Sequence, residues 1–109
     1  MVLSTQTEVG SNRLGDEKCV RMICEAGFDA LDYSMFCMQA DDNILNQPAY
    51  LEHVFEVKKI VEGYGKYFNQ AHAPFPSFKV GEDTYNTVIL EKIKRSIEIA
   101  GTLLSLIHI

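Results

Sequence analysis

Apolar positions along this chain change their spacing several times, and each change marks an element. Residues 15–26, "GDEKCVRMICEA", bring Cys19, Val20, Ile23 and Cys24 to one face at a helical period, and Gly27 follows as a stop. Asp16 and Glu17 stand in the first turn, where the helix dipole favours carboxylates. Residues 51–62, "LEHVFEVKKIVE", gather Val54, Val57, Ile60 and Val61 before Gly63 and Gly65 break the pattern. A third helix is predicted over 83–100, with Asp83 or Thr84 as its cap. Its apolar residues Ile89, Ile93, Ile97 and Ala100 recur at steps of three or four, with Lys and Glu between them. Such a stripe reads as core packing rather than as a cofactor box.

Strand-like runs lie between these helices at Val2–Thr7, Phe28–Ser34 and Tyr67–His72. The order β-α-β-α-β-α predicts an α/β fold of parallel strands joined by right-handed crossovers. "EAGFDALDY" and "EGYGKYFNQAH" each pass from a helical Glu through Gly into a strand, as repeated βα units would. The segment from Cys37 to Pro48 reads as a longer loop after the second strand. Tyr33, Met35, Phe36 and Met38 near that strand's end suit packing better than a pocket wall.

Alternation then sorts side chains by face. In "FDALDYS", Leu31 and Tyr33 suit a helix-covered face, so Ala30, Asp32 and Ser34 point the other way. In "YFNQAH", Phe68, Gln70 and His72 are expected to share a face. Pro74 and Pro76 lack an amide donor, so the strand stops near His72 and a stiff loop follows. Asp32, Gln70 and His72 are thereby expected to converge at the C-terminal end of the sheet, where parallel α/β proteins place binding and chemistry. A carboxylate near an imidazole can orient a hydroxylated substrate or help to hold a metal. The competing reading of Asp32 is a strand-end residue satisfied by backbone amides. His53, among apolar neighbours early in the second helix, is assigned a surface or packing role.

Composition narrows the choice of partner. The 109 residues suffice for one domain, with 47% hydrophobic and 23% charged residues as in ordinary globular proteins. A net charge of −5 argues against nucleic acid and anionic membrane, and the Lys58-Lys59 and Lys92 to Arg95 clusters read as solvated helix faces. Cys19, Cys24 and Cys37 show no CxxC spacing, so buried thiols in a reducing cytoplasm are expected, rather than zinc or a disulfide framework. "MVLSTQTEVG" has no basic start or long apolar core of a signal peptide, and no run of about 18 apolar residues is present to span a membrane.

Four segments, "EAGFDALDYSMF", "EVKKIVEGYG", "QAHAPFPSF" and "IKRSIEIAGTL", in this order and spacing resemble the xylose isomerase-like TIM barrel superfamily. Within it they are most similar to the bacterial sugar phosphate isomerase/epimerase family. The resemblance covers roughly residues 14–103, and "AHAPF" is its most specific piece. It implies the N-terminal part of a (β/α)8 barrel, about three βα units. It also implies an enzyme: a divalent-metal-assisted isomerisation or epimerisation of a sugar or sugar phosphate. The metal implied for the full-length family is Mn, Mg, Co or Zn. On this reading His72, which the resemblance places in the substrate pocket, and Asp32 and Gln70, which alternation brings beside it, contribute the substrate contacts, and the "HAP" segment makes His72 a candidate metal ligand. An endonuclease IV-like, zinc-dependent apurinic-site nuclease carries a similar "HAP" segment and is the alternative. A non-catalytic partial barrel acting as an interaction module is a further one.

The chain departs from the family in length. A full barrel takes about 250 residues, and the readable pattern here ends after three units. The carboxylates and metal ligands expected from later strands have no counterpart, so the fragment is expected to be inactive alone. "SIEIAGTLLSLIHI" runs on without a turn, and "LSLIHI" resembles translated sequencing-adapter read-through. Residues 104–109 are therefore set apart as a non-native tail, and His108 is not assigned to the site. An incomplete barrel leaves an open sheet edge and apolar area on its inward face, both favouring self-association.

Overall fold

The computed structural model describes residues 1–104. Three parallel strands, β1 (Ser4–Gln6), β2 (Ala30–Ser34) and β3 (Tyr67–His72), form one sheet in the order β1-β2-β3. Four helices accompany them: α1 (Glu8–Leu14), α2 (Asp16–Glu25), α3 (Tyr50–Gly63) and α4 (Asp83–Leu104). The expected α/β class, with parallel βα units, is therefore present. The assignments for residues 105–109, His108 included, lie outside the described residues. Leu104 simply continues α4. Among the described residues, no helix is long and apolar enough to cross a membrane.

Packing explains why these elements hold. Val20 and Cys24 of α2, Val54, Val57 and Val61 of α3, and Ile99 and Leu103 of α4 bury against Leu31, Tyr33 and Phe68 of the sheet. The faces expected of α2 and α3 are the ones buried, with Ile23 and Ile60 at their margins. Gly27 ends α2 with φ of 98°, a left-handed conformation that costs glycine no Cβ clash. Cys19 and Cys24 are buried free thiols, as small apolar side chains would be, and Cys37 is half-buried.

Helix α1 has no counterpart in the hydrophobic pattern because it buries no residue. It joins α2 through Gly15 alone and lies close to it at Gly10. A Cβ at Gly10 would stand 2.6 Å from Cys19 Sγ, nearer than packed atoms approach. The segment after β2 is not featureless either. Two short 3₁₀ turns, Phe36–Gln39 and Ile44–Asn46, bury Met38 and Leu45. The Asn46 side-chain amide donates to the carbonyls of Met38 and Ala40, both at 2.9 Å. Tyr33, Met35 and Met38 are core residues, as expected.

Two expectations fail. The buried face of α4 is Ile89, Lys92, Ser96, Ile99 and Leu103, while Ile97 is 67% exposed. Polar residues hid this face, because each finds a partner within it. Lys92 Nζ donates to Asp41 Oδ1 at 2.8 Å and to the Gln39 carbonyl at 3.3 Å, and Ser96 Oγ donates to the Ile93 carbonyl. The second failure concerns β3. Phe68 lies opposite Leu31, but Gln70 lies opposite Asp32, so β3 holds one extra residue at Asn69. This bulge puts Phe68 on the helix-covered face, in an edge-on contact with Tyr33, and leaves Gln70 and His72 on the other.

That other face carries no helix, and most of its exposed part is polar. Gln6, Asn69 and Gln70 are exposed there, beside Tyr67, which lies opposite Ala30 and is 39% exposed. Ala30 is buried, and Ser4 Oγ donates to Asn69 Oδ1 at 3.0 Å, from β1 to β3. Further exposed apolar side chains lie elsewhere, Phe78 and Val80 on the loop after β3 and Leu90 and Ile97 on α4 among them.

Candidate functional site at the C-terminal ends of the strands

Strand β2 aims Asp32 at the uncovered face because Leu31 and Tyr33 are held in the core on the opposite side. Strand β3 ends at His72, opposite Ser34. His72 Nδ1 and Asp32 Oδ1 meet at 2.8 Å. The Asp32 side chain is 14% exposed and the imidazole 42%, so the carboxylate is the enclosed partner and the ring the open one. A carboxylate can only accept, so Nδ1 carries the proton in this contact and the neutral ring presents the Nε2 lone pair. The ring's pose is fixed by this pairing, as a carboxylate that accepts from one ring nitrogen orients the other.

The surroundings fix both partners. The Asp32 carbonyl accepts from Thr7 N at 3.0 Å, and Thr7 Oγ1 accepts from Ser34 N at 3.0 Å. Buried Thr7 thereby stitches the end of β1 to β2 beneath the pair. The His72 carbonyl accepts from Met35 N at 2.9 Å. Phe36 lies against the His72 ring at 5.8 Å between centroids and meets Phe75 edge-on at 4.7 Å. Phe36 therefore forms a wall of the site, unlike its buried neighbours Met35 and Met38.

The loop after β3 is anchored as the prolines suggest, but by more than prolines. Gln39 Nε2 donates to the Phe75 carbonyl at 2.7 Å, and the Tyr85 hydroxyl donates to the Pro76 carbonyl. Asn86 accepts from Lys79 N and donates to the Lys79 carbonyl, closing the loop onto the start of α4. Gln70 stays exposed on the same face as Asp32, and its side chain makes no hydrogen bond to the described residues. The structure thus joins Asp32 to His72 and leaves Gln70 beside them.

The divalent metal that the sequence resemblance implies is not matched by this donor set. Asp32 occupies Nδ1 of His72, so the pair offers one imidazole nitrogen and one carboxylate oxygen. Among the described residues no group of three or more His, Cys, Asp or Glu is arranged to hold a metal ion. Structural and catalytic zinc sites take at least three protein ligands, so the His72–Asp32 pair by itself falls short of one.

A second pair was missed from the sequence. His53 Nε2 lies 2.8 Å from Asp16 Oδ2, and the Tyr33 hydroxyl donates to the same oxygen. Side-chain exposures of 16% and 10% make His53 a half-buried tie rather than a surface residue. Burial alone would raise the Asp16 pKa. The hydrogen bonds from His53 and Tyr33, the adjacent Ser11 hydroxyl and the charge of His53 outweigh it and hold the carboxyl below its usual range. Burial and the Asp16 charge push the Tyr33 hydroxyl well above its ordinary value. The same two causes push the Cys37 thiol up to about 11, so it stays protonated and unreactive. Asp16, His53 and Cys37 line a cleft of about 400 Å³ between α1, α3 and the first 3₁₀ turn. Asp16 and His53 both sit in the first turns of helices, at the same end of the fold. That shared placement was the available signal.

Comparisons with protein-family models, with curated proteins and with solved structures find no match for this chain.

Proposed function

We propose that this chain is the N-terminal part of a (β/α)8 sugar isomerase or epimerase, in which Asp32, His72 and Gln70 bind and orient the sugar or sugar phosphate. The observation that supports this reading is the His72–Asp32 pair, set on an uncovered polar face towards the C-terminal ends of three parallel strands. Asp32 holds the tautomer in which His72 Nε2 accepts a hydrogen bond from a sugar hydroxyl. When His72 is protonated, Nε2 donates instead, to a hydroxyl or a phosphate oxygen. Gln70 supplies an amide that both donates and accepts, and Phe36 and Phe75 offer apolar edges to the C–H side of a sugar ring.

In this reading, proton transfer next to the carbonyl belongs to carboxylates supplied outside these three units. The residues described here bind and position. A net charge of −5 disfavours the apurinic-site nuclease alternative, whose substrate is a polyanion.

A direct test follows the histidine ring resonances of the chain by NMR while aldoses, ketoses and their phosphates are added. Saturable shifts at His72, reduced by Asp32→Asn and unchanged by His53→Ala, are expected. A His72 ring that stays unmoved by every sugar up to about 50 mM, where even very weak specific binding would register, overturns the proposal.

A further inference from the structure

The cleft between α1, α3 and the first 3₁₀ turn is lined by atoms that the tie of His53 to Asp16 leaves over. Tyr33 and His53 both use Oδ2 of Asp16, and its Oδ1 accepts from no described residue. His53 gives Nε2 to that carboxylate, so the neutral ring keeps a lone pair on Nδ1. Ser11 Oγ is buried beside Asp16 with no group in hydrogen-bonding geometry. Among the described residues it is the one side-chain nitrogen or oxygen that is both buried and unpartnered. Oδ1 of Asp16 and Nδ1 of His53 therefore reach solvent, in the cleft that these two residues and Ser11 line together. An unmet buried hydroxyl costs about 1–3 kcal/mol, and native proteins keep few of them.

Charge and shape narrow what could meet these atoms. No lysine or arginine lines the cleft, and Asp16 supplies the full negative charge within it. That charge reaches its neighbours, since together with burial it raises the Cys37 thiol. The positive ends of α2 and α3 meet here too, but both first turns carry acidic residues that offset them, Asp16 and Glu17 in one and Glu52 in the other. Cys37, Ala40 and Ile44 form an apolar stretch of the wall.

We propose that this cleft binds a small organic cation, a primary ammonium on a short alkyl body, which donates its three N–H groups to Asp16 Oδ1, His53 Nδ1 and Ser11 Oγ. An ammonium has three donors and no acceptor, which matches three acceptors left unused in one place. Its charge meets an enclosed carboxylate, where a charge-assisted hydrogen bond is stronger than in water. An alcohol offers a single donor and leaves two of the acceptors unmet. The alkyl body lies along Cys37, Ala40 and Ile44, within a volume of about 400 Å³. The site is separate from the sugar face, so His53 reports on one and His72 on the other.

Titration of the 109-residue chain with n-butylammonium chloride at about pH 8, where an imidazole is neutral, tests the proposal by NMR. Sodium chloride and n-butanol serve as matched controls. Saturable shifts of the His53 ring and the Ser11 amide are expected, half complete at about 1–10 mM, as so small a ligand allows. The His72 ring should stay in place. Ser11→Ala removes an atom that has no partner in the free chain, so it should leave stability intact while weakening binding about tenfold. Shifts reproduced by sodium chloride at equal ionic strength, or by n-butanol at equal concentration, overturn the proposal. So does a Ser11→Ala chain that binds as tightly as the parent, or a parent whose His53 ring is unmoved at about 50 mM.

Discussion

Two histidine–carboxylate pairs of equal length, 2.8 Å, lie on opposite faces of the same sheet. His53–Asp16 lies among helices and shares its carboxylate with Tyr33, so one carboxylate oxygen serves two partners inside the protein. His72–Asp32 lies on the face without helices, and its imidazole is the more exposed of the two. The first pair ties α2, α3 and β2 together. The second leaves Nε2 directed at whatever occupies the open face. Pairing alone therefore does not mark a site: the exposure of the imidazole separates the two pairs.

The sharpest way to break this contrast is to remove each carboxylate in turn. Asp16→Ala strands the buried Tyr33 hydroxyl and His53 without an acceptor and should cost about 2–4 kcal/mol, read as a lower urea midpoint. His72→Ala, at the open partner, should change stability by only about 0–1 kcal/mol. Asp32→Asn, at the enclosed partner, keeps an acceptor oxygen for His72 and should change it by about 1 kcal/mol. Both should abolish or weaken the sugar-induced shifts. If the two carboxylates proved equally costly, the distinction drawn here between tie and site would fail.

A smaller effect probes the packing beside the covered pair. Gly10→Ala drives a methyl into Cys19 Sγ and should destabilise by about 1 kcal/mol net, overpacking of roughly 1–3 kcal/mol being offset by the better helix former. Adding Cys19→Ala should restore the loss, since the clash is with that sulfur. Failure of the rescue would place α1 differently against α2.

Acidification probes the covered pair without mutation at His53. The folded-state pKa of Asp16 is depressed, so its contribution is fully present above its ordinary value of 3.8 and is lost as pH falls below that through the folded value. Stability of the parent chain should therefore fall more steeply below about pH 4 than that of Asp16→Asn. Parallel curves would mean that the carboxylate gains nothing from its enclosure.

How much of this was legible in the sequence differs by element. The buried faces of α2 and α3 and the limits of β3 follow from local periodicity, and the structure keeps them. Asp32 and His72 were also legible. Leu31 and Tyr33 demand the core, which sends Asp32 to the other side, and two prolines close the strand just after His72. Their contact was reached through a flawed intermediate, because simple alternation put Phe68 on the same face. The bulge at Asn69 breaks that alternation, and nothing local announces it.

Helix α1 was invisible because it is held by contact with α2 rather than by an apolar stripe of its own. The buried face of α4 was misread because Lys92 and Ser96 look like surface residues until Asp41, Gln39 and Ile93 provide their acceptors. The His53–Asp16 pair joins residues 37 positions apart and was equally hidden. The sequence by itself determined the three longer helices, the three strands and the core-facing sides of α2 and α3, since those depend on neighbours a few residues away. Tertiary structure alone decided strand register, the partners of buried polar groups and the face of α4 that meets the sheet. Each of these depends on groups distant in the chain, whose approach no local pattern encodes.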